Sequence, residues 1–230
     1  YEQAGILIAR PAGGTSCRLA ISAKGGTNAE NHNHNDVGSY AVALGSETMV
    51  GDQGGPNSYP GDYFNGDAPQ KYKIKGSFGH PVPVVDGRTQ SSGGKAKGVV
   101  LQKEFTNEKD VFSIDYTSAY STPNLDKLIR TFVYDRQGKG SFTVGDEFTA
   151  KTPIRFETAI TTRADWKILD DTHLLLATDS EQMIVAIEAS GKVAFTSETI
   201  EVNSPAYTRI GIALKNQSKE GYIRLKMYTK

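Results

Sequence analysis

Strand-forming runs that recur at short intervals constrain this chain most. β-Branched and aromatic runs return at residues 99–104, 111–116, 128–135, 141–148, 154–161, 173–178, 183–189, 200–202, 209–214 and 222–228. Turn-forming residues separate them, most clearly Asp135-Arg136-Gln137-Gly138-Lys139-Gly140 and Ser190-Gly191-Lys192. No segment keeps a 3.6-residue apolar period with caps, so sustained helices are not expected. Many strands of similar length with frequent turns predict an all-β fold, a large antiparallel β-sandwich or barrel.

The N-terminal part follows the same rule. Residues 5–12 and 17–24 read as two strands joined by a Gly-rich turn. Residues 37–44 alternate, turn at Gly45-Ser46-Glu47, and return through 48–51 as the second arm of a hairpin. Residues 53–78 read as a long loop whose Tyr59, Tyr63, Phe64 and Tyr72 imply ordered contacts. Residues 91–98 read as a flexible tip. Residues 1–230 are expected to form one β domain.

Charge excludes some function classes. Lys+Arg and Asp+Glu each number 26, so the chain is neutral overall. That argues against general binding to nucleic acid or to a membrane surface. No apolar run approaches the ~20 residues of a membrane span, and residues 1–30 are not expected to be a signal peptide. A start at Tyr1 rather than Met is expected of a processed protein or a piece of a longer one. Cys17 is the single cysteine, which excludes an intrachain disulfide and a Cys-based zinc site. It is expected to be a buried strand residue. Lys71, Lys73, Lys75 and the Asp126-Lys127 pair are expected on solvated strand edges. Trp166 is expected in the core or at a strand edge, and His173 at the edge of the core.

The chemistry concentrates in Asn31-His32-Asn33-His34-Asn35-Asp36, which holds two of the four histidines. On an extended chain His32 and His34 share a face about 7 Å apart. Two ligands of one zinc each lie ~2 Å from it, so the pair could share an ion only across a bend. The simpler division is one histidine for a metal and one for chemistry. Asp52 and His80 stand at loop boundaries and could complete a set with His34; they could equally cap a turn and fill a loop. A tight hairpin would set Asp52 opposite Tyr40, with His34 about 20 Å further along an extended strand. The set therefore requires the strand to begin near Gly38 and the polar run to fold back over it. His32 and the loop tyrosines are the candidates for proton transfer.

The run from His32 to Tyr40, with Met49-Val50-Gly51-Asp52-Gln53-Gly54, Tyr59 and Gly79-His80, resembles the heparinase II/III-like polysaccharide lyases. Val84 to Gln90, Asp115 to Tyr120 and Arg130 to Tyr134 extend the resemblance over roughly residues 15–165. It implies a β-sandwich that follows an N-terminal helical toroid, a domain expected to be absent from this chain. It implies cleavage of uronic-acid-containing, acidic polysaccharide by β-elimination, with catalytic Asn and Tyr contributed by the toroid. By the same resemblance His32 is catalytic, and His34, Asp52 and His80 hold a mainly structural zinc. Asn31, Tyr59 and Tyr63 are expected to bind substrate, and Arg88 could add positive charge at the cleft. The sandwich alone is expected to be inactive, and the protein to be periplasmic or secreted. The alternative is a non-catalytic, metal-stabilised carbohydrate-binding or structural module; a third possibility is a polar run that only caps a sheet edge.

Overall fold

A computed structural model describes residues 5–11, 13–52, 55–202 and 204–230. Ala12, at the end of the first expected strand, and Gln53-Gly54, at the start of the long loop, lie outside the described residues.

The elements in chain order are β1 (Ile6–Ala9), β2 (Leu19–Lys24), β3 (Gly26–Asn28), β4 (Tyr40–Leu44), β5 (Glu47–Val50), α1 (Ala68–Lys71) and β6 (Val84–Val85). There follow β7 (Gly93–Phe105), β8 (Lys109–Asp115), β9 (Leu125–Asp135), β10 (Ser141–Ile154), β11 (Phe156–Thr162) and β12 (Asp165–Asp170). The last are β13 (His173–Ala177), β14 (Gln182–Ala189), β15 (Val193–Val202), β16 (Ser204–Leu214) and β17 (Ser218–Thr229). All pairings among them are antiparallel.

One sheet has nine strands in the order β12-β13-β14-β17-β10-β9-β8-β7-β3. Two four-stranded sheets, β1-β2-β4-β5 and β15-β16-β11-β6, make up the facing layer. These two meet at a seam. Gly51 N–H donates to the Thr161 carbonyl at 3.0 Å, and the hydroxyls of Thr161 and Thr162 donate to the Gly51 and Met49 carbonyls.

Period-two burial builds the sandwich. Alternate residues of β2, β4 and β10 turn inward. Leu19, Val42 and Ile210 from one layer share a core with Phe132, Phe142 and Leu225 from the other. The Tyr40 ring lies 6.2 Å from Phe132 and 5.9 Å from Phe142 across the interface. Half-buried Trp166 packs against this core from β12, and Cys17 is buried just before β2.

Three expectations change. Residues 93–98 are strand, because β7 pairs with β3, and Asn28 Nδ2 ties down the Ser91 carbonyl at 2.8 Å. The fourth strand begins at Tyr40 rather than at residue 37. The three lysines lie on no strand edge: Lys71 is exposed at the end of α1, Lys73 pairs with Glu198, and Lys75 is buried at 6 % exposure.

Candidate metal centre and adjoining cleft

Three short segments converge at one end of the seam. The first is the polar run, held by buried and part-buried hydrogen bonds to distant segments. Gly38 takes φ +88°, and a Cβ there would sit 3.4 Å from the Tyr116 ring, so glycine alone turns the chain back without strain. This bend removes the objection that a plain hairpin would leave Asp52 far from His34. Backbone N–H groups of Asn35, Asp36 and Val37 donate to the Lys75 carbonyl, Asn28 Oδ1 and Gln90 Oε1. Gln90 Nε2 returns a bond to the Val37 carbonyl at 2.7 Å. The run is therefore bent and clamped, not extended.

The second segment leaves β5, whose pairing with β4 ends at Val50 opposite Val42. The chain crosses to β11 through Gly51, and Asp52 follows at the seam. The third is the turn that carries His80. Gly79 packs so closely that a Cβ would meet the Lys73 carbonyl oxygen at 2.3 Å, and the Tyr207 hydroxyl donates to the Gly79 carbonyl. His80 itself is fully buried.

One nitrogen or oxygen from each of His34, Asp52 and His80 lies within 4.8 Å of the others. His80 Nε2–H donates to the Ile74 carbonyl at 3.0 Å, which leaves Nδ1 as the nitrogen available to a metal ion. That Nδ1 is buried with no hydrogen-bond partner, and it faces Asp52 Oδ2 at 3.7 Å. A metal cation or a proton between that nitrogen and the carboxylate makes the contact attractive. His34 is held neutral chiefly by burial, which with the charge of a protonated His80 lowers its pKa from 6.5 to about 4 against the opposing pull of Asp52 and Asp36. The Tyr63 hydroxyl meets His34 Nε2 at 3.2 Å and orients the ring. Burial, helped by Tyr59 and Asp52, pushes Tyr63 up to about 12, so it stays a phenol. Two imidazoles and a carboxylate fit a divalent ion with an open fourth position, each imidazole ligating through an unprotonated nitrogen.

His32 is sent the other way. Its φ of +59° puts it in the left-handed region, so it and His34 do not share a face. The exposed His32 ring lies 4.7 Å from the Phe64 ring. It borders a cleft of about 320 Å³ whose lining includes Asn31, Asn35, Phe64, Asn65, Lys75 and Ser92. Exposed Tyr59 leans on Tyr63 and Phe64. Tyr63 is buried and borders a neighbouring groove of about 510 Å³. Arg88 lies on the exposed turn after β6 and does not line the His32 cleft. His173 faces Asp170 at the β12–β13 turn, outside the site.

Sequence reasoning missed Lys75 and the buried clamp of Asn28, Gln90 and Arg130. A lysine between an aromatic-rich loop and a Gly-Ser-Phe-Gly turn was the available signal for the first.

The fold has known counterparts. Heparinase III superposes with a TM-score of 0.76 at 18% identity, covering 99% of this chain and 36% of that one. A mutant of the heparan sulfate lyase HepC from Pedobacter heparinus gives 0.77 at 15% identity, with 99% and 36% covered. The chain has the fold of part of heparinase III. The unmutated HepC agrees, at 0.72 and 13% identity over 92% of this chain. The chain thus spans about a third of the length of the structures it matches. No protein-family model and no curated protein matches its sequence.

Proposed function

We propose that this chain is the β-sandwich portion of a lyase that cleaves uronic-acid-containing polysaccharide by β-elimination. One observation carries the reading: two histidines one residue apart are split between a partly buried candidate metal set and an exposed cleft. Folding alone has no use for a left-handed, exposed His32 beside a clamped His34. The heparinase III fold supports the same reaction class.

Elimination removes the C5 proton of a uronate and returns a proton to the departing oxygen at C4. In this reading His32 carries one of those protons, and Asn31 and Tyr59 contact the sugar. Tyr63 acts through His34 and along the neighbouring groove. His34, Asp52 and His80 hold one zinc ion; when bound, it joins three loop segments and neutralises Asp52 against the His80 lone pair. The remaining catalytic groups belong to a helical domain of the same protein, so the sandwich alone, as a single domain, turns over little polysaccharide. Such a substrate places the protein in the periplasm or outside the cell.

The test is His32→Ala in the full-length protein. Eliminative turnover should fall about 100- to 10,000-fold, with metal content and unfolding temperature unchanged. Unchanged turnover would remove His32 from the reaction. Binding of acidic polysaccharide without elimination by the parent protein would instead make the domain a binding module.

A further inference from the structure

The cleft beside His32 holds one cation, Lys75, with no carboxylate partner among the described residues. Lys75 is 6 % exposed. Its ammonium donates to the Tyr63 carbonyl and lies 4.8 Å and 4.9 Å from the Tyr63 and Phe64 ring centres. Among the described residues no carboxylate pairs with it. An ammonium has three N–H donors, and a buried charge is costly until it is paired. Here one carbonyl and two ring faces are the partners the fold supplies. Burial accordingly pulls the lysine pKa below its ordinary range.

The surroundings point to what completes it. Lys75 lines the same cleft as His32, and both touch the Phe64 ring. The one carboxylate in the cleft lining, Glu30, accepts from the Thr27 hydroxyl at 3.0 Å. The rest of the polar lining is mostly amide, and buried Asn35 Oδ1 in that wall has no hydrogen-bond donor. Such a wall offers bonds to sugar hydroxyls and a single positive charge.

We propose that Lys75 is the specificity-determining residue of this cleft, pairing with the carboxylate of the uronate presented to His32. The proposal rests on the acidic-sugar reading above. In the elimination, negative charge develops at C5 and spreads onto that carboxylate, so a fixed ammonium there would favour the transition state as well as binding.

The test is calorimetric titration of the full-length protein with two ligands. One is an oligosaccharide of alternating uronic acid and hexosamine; the other is the same oligosaccharide with its carboxyls reduced to neutral alcohols. The parent should bind the acidic form more tightly. Lys75→Met should weaken binding of the acidic form about 10- to 100-fold and leave the reduced form unchanged, so that the preference disappears. Lys75→Arg should keep part of the preference, and matching unfolding temperatures show that each variant is folded. A preference that survives in Lys75→Met overturns the proposal, as does a parent with no preference or an equal loss for both ligands. Unsaturated product from the acidic form is followed in parallel. A Lys75-dependent preference without product would sustain the anion site and reject the lyase reading. Product formation with the preference unaltered in Lys75→Met would do the reverse.

Discussion

At the scale of residues, His34 and His80 show how burial prepares a ligand. Each imidazole must be neutral to bind a cation. His34 is kept so by desolvation, down to about pH 4. The sign of the linkage follows. An unfolded His34 takes up its proton near pH 6.5, whereas the folded one waits until about pH 4. Between those values the unfolded chain holds more protons, so stability falls as pH drops through that window and levels off below it. Unfolding temperatures measured from pH 7 to pH 4 should show this slope, and His34→Gln should flatten it. His34→Ala should also lose bound metal by elemental analysis, whereas His32→Ala should retain it.

Elements converge on the site through Arg130, from the middle of β9. Its guanidinium is fully buried and paired with Asp146 of β10 through two bonds of 2.7 Å. Of the three remaining N–H groups, two reach the Gly38 and Pro81 carbonyls at 2.7 Å and 2.8 Å and the third reaches the Thr158 hydroxyl at 3.1 Å. One side chain of the nine-stranded sheet thus fastens both the bend after His34 and the turn after His80. Arg130→Met leaves Asp146 buried without its cation and should cost about 3–5 kcal/mol, read by denaturant unfolding. A double variant with Asp146→Leu should cost less than the sum of the two single changes. Gly38→Ala acts on the same bend from the other side. It forces a side chain to φ +88° against Tyr116 and should cost about 1–2 kcal/mol.

Over the whole molecule, stability should divide between the core and this corner. Stacked Phe132 and Phe142, 6.1 Å apart, sit deep between the layers. The metal set instead joins a bent run, a strand exit and a turn that little regular structure supports. Chelation should therefore lower the unfolding temperature and raise hydrogen exchange at residues 30–36 and 74–82. Exchange in β9 and β10 should stay near its holo rate. Equal acceleration in both regions would mean that the corner and the core open as one unit.

Sequence alone determined the all-β class and most strands, because alternation with period two is a local signal that survives without its partner strands. Asn31 to Asp36 likewise stood out by composition, and the need for a bend near Gly38 followed from strand geometry alone. What joins distant segments was decided only by tertiary structure. The seam of β5 with β11 brings Asp52 toward His80, and burial leaves His80 Nδ1 with no hydrogen-bond partner, facing that carboxylate. Lys75, by sequence an ordinary surface lysine, becomes a buried charge because Tyr63 and Phe64 fold over it. Burial and the pairing of charges are properties of packed surfaces, and no window of neighbouring residues encodes them.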